Sequence, residues 1–146
     1  MTTLIDNRID ELISRVKKHG AITDFCFIPA YPPNKTPNPV KKYTVAAENL
    51  GTKEKRVFVG NKAGLSLNGR LYEVKLRLRV YAPSYTSGSS LLRACALLAD
   101  ALEAEDSERF IAETAFSGVG FDTSSRTEYR DILVTLEMLL TEEAAL

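Results

Sequence analysis

The chain has 146 residues, 45% of them hydrophobic, and its 19 Lys and Arg balance its 19 Asp and Glu to a formal net charge of zero. That is one domain's length with enough apolar content to bury a core without staples, which excludes a disordered tail and a disulfide scaffold. Zero net charge argues against a sequence-specific nucleic-acid partner, whose binder would be strongly basic. The balance is not local, however. Residues 1–80 hold 15 basic and 7 acidic side chains, and residues 81–146 hold 4 basic and 12 acidic, so a +8 half adjoins a −8 half.

From the N-terminus, Ile5, Ile9, Leu12, Ile13 and Val16 fall on one helical face and Gly20 follows as a stop, predicting an amphipathic helix of about four turns. Its basic end, Arg15, Lys17, Lys18 and His19, suits the negative pole of the helix dipole, and a solvated terminus accounts for His19. Ala21 to Ile28 has strand composition. Five of the six prolines then lie between Pro29 and Pro39, which predicts an extended loop over about 29–41. Tyr43 to Leu50 and Lys55 to Val59 read as strands around a turn at Gly51-Thr52-Lys53-Glu54, with further turns at 60–64 and at Asn68-Gly69.

The clearest strand is Leu71 to Ala82. Tyr72, Val74, Leu76, Leu78 and Val80 alternate with Glu73, Lys75, Arg77, Arg79 and Tyr81, so one face is core and the other carries three cations. A helix follows from about Ser89 to Glu103, with Leu91, Cys95, Leu98 and Leu102 as its stripe, Leu92 and Ala99 beside it, and Thr86 or Ser87 as the cap. After the acidic run Glu103, Glu105, Asp106 and Glu108, Phe110 to Phe121 and Tyr129 to Leu140 form a closing hairpin. The order α-β-β-β-β-α-β-β predicts a single α+β domain over 1–146: a mostly antiparallel sheet with an N-terminal helix and a second helix between the charged strand and the C-terminal hairpin.

Chemistry-bearing motifs are few. The N-terminus lacks the basic and apolar regions of a secretory signal, and Leu91 to Leu102, broken by Arg93 and Asp100, is too short to span a membrane. Cys26 and Cys95 stand apart with no Cys or His at metal spacing, so free thiols are expected, with a disulfide between them as the alternative. A single histidine leaves no basis for a triad or zinc site, and the segments 60–64, 64–68 and 118–120 lack the spacing of a phosphate loop, nucleophile elbow or dinucleotide motif. No catalytic residue, cofactor or metal is therefore expected. What remains is the pair of opposed charge clusters, Lys75, Arg77 and Arg79 against Glu103, Glu105, Asp106 and Glu108. Each reads as a solvated surface or as an interface.

Taken together, the charged strand ending Val80-Tyr81-Ala82-Pro83, the helix Leu91 to Leu102 and the hairpin around Phe121-Asp122 make the chain resemble the tail-terminator (tail-completion) proteins of long-tailed bacteriophages and prophages. The likeness covers nearly the whole chain and is one of element order, with no catalytic signature. It implies an α+β subunit of a ring, typically a hexamer, that sits on the tail tube end, stops tube polymerisation and provides the head-joining surface. The partners it implies are further copies of itself, the tail tube protein and a head-completion or connector protein, with the host cytoplasm and then the virion tail as location. A head-to-tail ring has heterologous interfaces, so the basic strand face, or the region of Lys41-Lys42 and Lys53-Lys55-Arg56, of one subunit is expected to meet the 103–108 acids of the next. The alternative from another class is a small non-enzymatic module that binds a protein on an exposed sheet edge.

Overall fold

The computed structural model describes residues 2–22, 24–29, 42–62, 65–83, 88–123 and 126–141. Helix α1 (Thr2–Lys17) leads through a 3₁₀ turn (Gly20–Ile22) into strand β1 (Cys26–Pro29). Strands β2 (Thr44–Lys62) and β3 (Leu65–Tyr81) follow, then helix α2 (Gly88–Glu105) and strands β4 (Ile111–Asp122) and β5 (Thr127–Thr141). The five strands form one sheet in the order β1-β2-β3-β5-β4. Every neighbouring pair is antiparallel except β1 and β2, which run parallel. The architecture is α+β, as the alternation and the helical stripes predict.

One core joins the two helices to one face of the sheet. Ile5, Ile9, Leu12 and Val16 of α1 and Leu91, Cys95, Leu98 and Leu102 of α2 pack on Tyr72, Val74, Leu76, Leu78 and Val80 of β3. Ile132, Val134, Leu136 and Met138 of β5 complete the layer, in register with the β3 residues. The period-2 pattern of β3 thus decides which face the helices cover. On α2, Ala94 and Ala101 are buried, whereas Leu92 is exposed.

Several local expectations are corrected. Residues 51–54 do not turn the chain: β2 runs straight through, with a register shift between Asn49 and Gly51, and the Gly51 N–H is taken up by Asn49 Oδ1 at 2.9 Å. That side-chain bond lets the strand absorb one extra residue as a bulge. Asn68-Gly69 and Gly60-Asn61-Lys62 likewise lie within the β2–β3 ladder, and the rest of the turn expected at 60–64, residues 63 and 64, lies outside the described residues. The strand expected at 21–28 begins only at Cys26, because Gly20–Ile22 winds into the 3₁₀ turn that buries Ile22. The proline-rich stretch after Pro29 and the Thr86 or Ser87 cap lie outside the described residues. Cys95 is buried and Cys26 half-buried, both as free thiols, and burial pushes the Cys95 thiol up to about 11.

Candidate subunit interface

The sheet face turned away from the helices carries Lys75, Arg77 and Arg79, as the alternation of β3 requires. Register then places acids beside them. Glu48 of β2 is the direct partner of Arg77 and Asp131 of β5 is the direct partner of Arg79. Arg79 holds Asp131 in a two-point contact, Nε to Oδ1 at 2.8 Å and Nη2 to Oδ2 at 3.0 Å, while Arg77 Nη2 donates to Glu48 Oε2. Lys75 Nζ donates to Thr135 Oγ1 at 3.0 Å and lies 3.7 Å from Glu73. Arg79 also stacks over Tyr129, 4.0 Å from the ring centroid, and the Asp131 hydrogen bond holds its pKa above the ordinary guanidinium value. The three cations of this face are therefore matched within the chain.

The Arg79 assembly has a precise support. Tyr129 lies over Gly120 of β4, where a Cβ would come within 2.5 Å of the ring. A register shift in β4 between Phe116 and Val119 leaves the Asp131 N–H to Ser117 Oγ, which accepts it at 2.9 Å. Glycine, bulge and tyrosine thus seat the ion pair.

The acids at 103–108 sit on the opposite side of the sheet, at the C-terminal end of α2, and the fold does not bring them near Lys75, Arg77 or Arg79. Most are engaged with α1 or with their own turn. Glu105 Oε1 accepts from His19 Nδ1 at 3.1 Å, and the Glu105 carbonyl accepts from Arg15 Nε at 3.2 Å. Glu108 accepts from Arg8 at 2.9 Å. Asp106 receives the N–H groups of Phe110 and Ile111, both at 2.9 Å, fixing the turn into β4 in which Arg109 adopts a left-handed φ of 56°. The basic end of α1 therefore neutralises the end of α2, whose last turn has no base of its own. His19 is half-buried in this contact and is not the solvated terminus that its sequence position suggests.

At the two margins of the sheet, charged surfaces lack such partners among the described residues. The first lies where β4 extends past the helix layer. Thr114 and Phe116 share the helix-facing side with their β5 partners Val134 and Ile132, yet Phe116 is 44% exposed, and Val119 and Phe121 beyond it are 50% and 60% exposed. Between β4 and α2 opens a cleft of about 790 Å³, lined by Ala96, Ala99, Phe116 and the acids Asp100, Glu103 and Asp106, with Arg109 as its one cation; Glu113 borders it at the β4 rim, where its β5 partner Thr135 sets it towards the outer face. Asp100, Glu103 and Glu113 have no ion pair among the described residues. The second surface is on β2. Strand β1 covers only Thr44 to Ala47, so the outer edge of β2 from Glu48 onward has no strand neighbour among the described residues. Lys53, Lys55 and Arg56 stand exposed on that stretch and make no ion pair among the described residues.

Of the sequence candidates, Glu103 has no ion pair among the described residues, and the remaining six side chains hold contacts inside the subunit. Asp100, Glu113 and Phe116 were not singled out by the sequence. No local pattern signals them, because what sets them apart is that the fold leaves them uncovered. Among the described residues no group of three or more His, Cys, Asp or Glu is placed to hold a metal ion, and no helix is long and apolar enough to cross a membrane. No family model matches the chain, and no curated protein is significantly similar to it.

Proposed function

We propose that this chain is a structural, non-catalytic ring subunit of a bacteriophage or prophage tail, a tail terminator that stops tube polymerisation and offers the head-joining surface. The element order supports the reading through its resemblance to that family. The observation that carries it is the placement of unpartnered charge: cations on β2 at one margin of the sheet and acids around α2 and β4 at the other, separated by β3 and β5. Surfaces of opposite sign on different sides of one subunit fit a head-to-tail contact, which closes into a ring when the rotation between copies closes. The tail tube protein and a head connector are the partners of such a ring.

The test is tail length by electron microscopy in a phage lacking this protein. Overlong tails without heads, restored to uniform length by the chain supplied in trans, are expected; tails of normal length in its absence refute the reading. The exposed edge of β4, with Phe116, Val119 and Phe121 beside it, also favours a second reading, a module that adds a partner's strand to this edge. A chain that stays monomeric up to millimolar concentration and captures an extended peptide along β4 would favour that alternative.

A further inference from the structure

We propose that the α2–β4 cleft and its β4 rim form a socket for the cationic edge of β2 of a second copy of this chain, with Lys53, Lys55 and Arg56 set against Asp100 and Glu103 of α2 and the rim acid Glu113 of β4. The inference rests on the head-to-tail assembly proposed above and names the two surfaces that make it.

Three observations choose a second copy as the occupant. The first is charge: acids outnumber the single lining cation, Arg109, and three of them have no ion pair among the described residues, as is true of the three cations on β2. The second is topology. Among the described residues the sheet has a margin without a strand neighbour at each side, β4 and the part of β2 beyond Ala47, and these lie on opposite sides of β3 and β5, so one subunit can offer both at once. The third is selection by repulsion. Edge lysines normally guard a sheet against pairing. Here they repel a second β2 edge, and the acids repel a second socket, so two-fold pairing of either margin is disfavoured while β2 on the α2–β4 socket is attractive. Exposed Phe116 adds apolar area at the contact.

The experiment uses two full-length variants. One carries Lys53→Glu, Lys55→Glu and Arg56→Glu; the other carries Asp100→Lys, Glu103→Lys and Glu113→Lys. All six positions are exposed, and circular dichroism melts check that both variants fold. Sedimentation velocity at low salt is expected to show association of the wild-type chain and a loss of more than about tenfold in affinity for each variant alone. An equimolar mixture of the two variants is expected to associate again, because the acidic edge of one now fits the basic socket of the other and the reverse contact keeps its attraction. A mixture that stays monomeric while the wild type associates overturns the socket, as does either variant associating as the wild type does. A wild type that stays monomeric at low salt and high concentration also overturns it. These association outcomes test the socket alone, and the terminator reading stands or falls on the phage lacking the protein.

Discussion

The outer sheet face and the α2–β4 cleft carry the same kinds of residue, exposed apolar side chains among Lys, Arg, Asp and Glu, but the charges are disposed differently. On the outer face cross-strand register sets Arg77 on Glu48 and Arg79 on Asp131, so attraction is satisfied inside the subunit. At the cleft and its rim, Asp100, Glu103 and Glu113 make no ion pair among the described residues, and the cations of opposite sign lie across the sheet on β2. Charge segregation along a sequence therefore has two physical outcomes. Register brings Arg77 to Glu48 and Arg79 to Asp131, where opposite signs hold the fold; charges that close no ion pair among the described residues, Lys53 opposite Glu73 included, remain available to another molecule.

This contrast predicts that substitutions on the outer face lower stability without altering association, and that substitutions at the cleft and the β2 edge do the reverse. The largest loss of stability is expected from Asp131→Ala, which strands Arg79 beside Tyr129. Urea unfolding should show a cost of about 2 kcal/mol, below that of a fully buried pair because Arg79 keeps some water contact. A change under about 0.5 kcal/mol would mean that the pair contributes no more than an ordinary surface contact. Gly120→Val should cost nearly as much, about 1 to 2 kcal/mol, because the new side chain meets the Tyr129 ring. In a Tyr129→Ala background the same substitution should be close to neutral; equal costs in both backgrounds would rule out the clash.

A smaller loss, about 1 kcal/mol, is expected for Asp106→Ala, which removes the acceptor of two N–H groups at the entry to β4. Cys95 supplies a pH reference from the buried side of α2. Its thiol titrates near 11 in the fold against 9.0 in the free side chain, so the fold favours the neutral form. Stability linked to Cys95 is intact below pH 9 and declines as pH climbs towards 11, where the unfolded chain ionises and the folded one does not. The decline should be shallower in Cys95→Ala; identical slopes would show that the thiol takes no part. The smallest effect on stability, within about 0.5 kcal/mol, is expected for the triple reversal of Lys53, Lys55 and Arg56, measured by the same urea titration.

The elements with strong periodicity were legible in the sequence. Tyr72 to Val80 alternates without interruption, and the stripes of α1 and α2 keep helical spacing, so local pattern and buried face agree. Residues 51–54 misled because glycine signals a turn, whereas an Asn49–Gly51 hydrogen bond accommodates a bulge at Leu50 and lets 51–54 pair regularly with β3 within one strand. The parallel pairing of β1 with β2 depends on where the chain returns after the proline-rich stretch, which no local signal fixes. The candidate interface was legible only in part. Alternation showed that Lys75, Arg77 and Arg79 share a face, but their neutralisation depends on residues 29 and 52 positions away from Arg77 and Arg79 respectively. In the same way the contact of His19 with Glu105 spans 86 positions. The open acids Asp100 and Glu113 gave no signal because their significance lies in what the fold leaves uncovered.

The most direct measurement of the central claim is the tail-length distribution in a phage that lacks the native chain and is supplied with the edge-reversed variant, the socket-reversed variant, or both. Overlong tails with either variant alone and uniform tails with the two together are the predicted result. Uniform tails with either variant alone would contradict it.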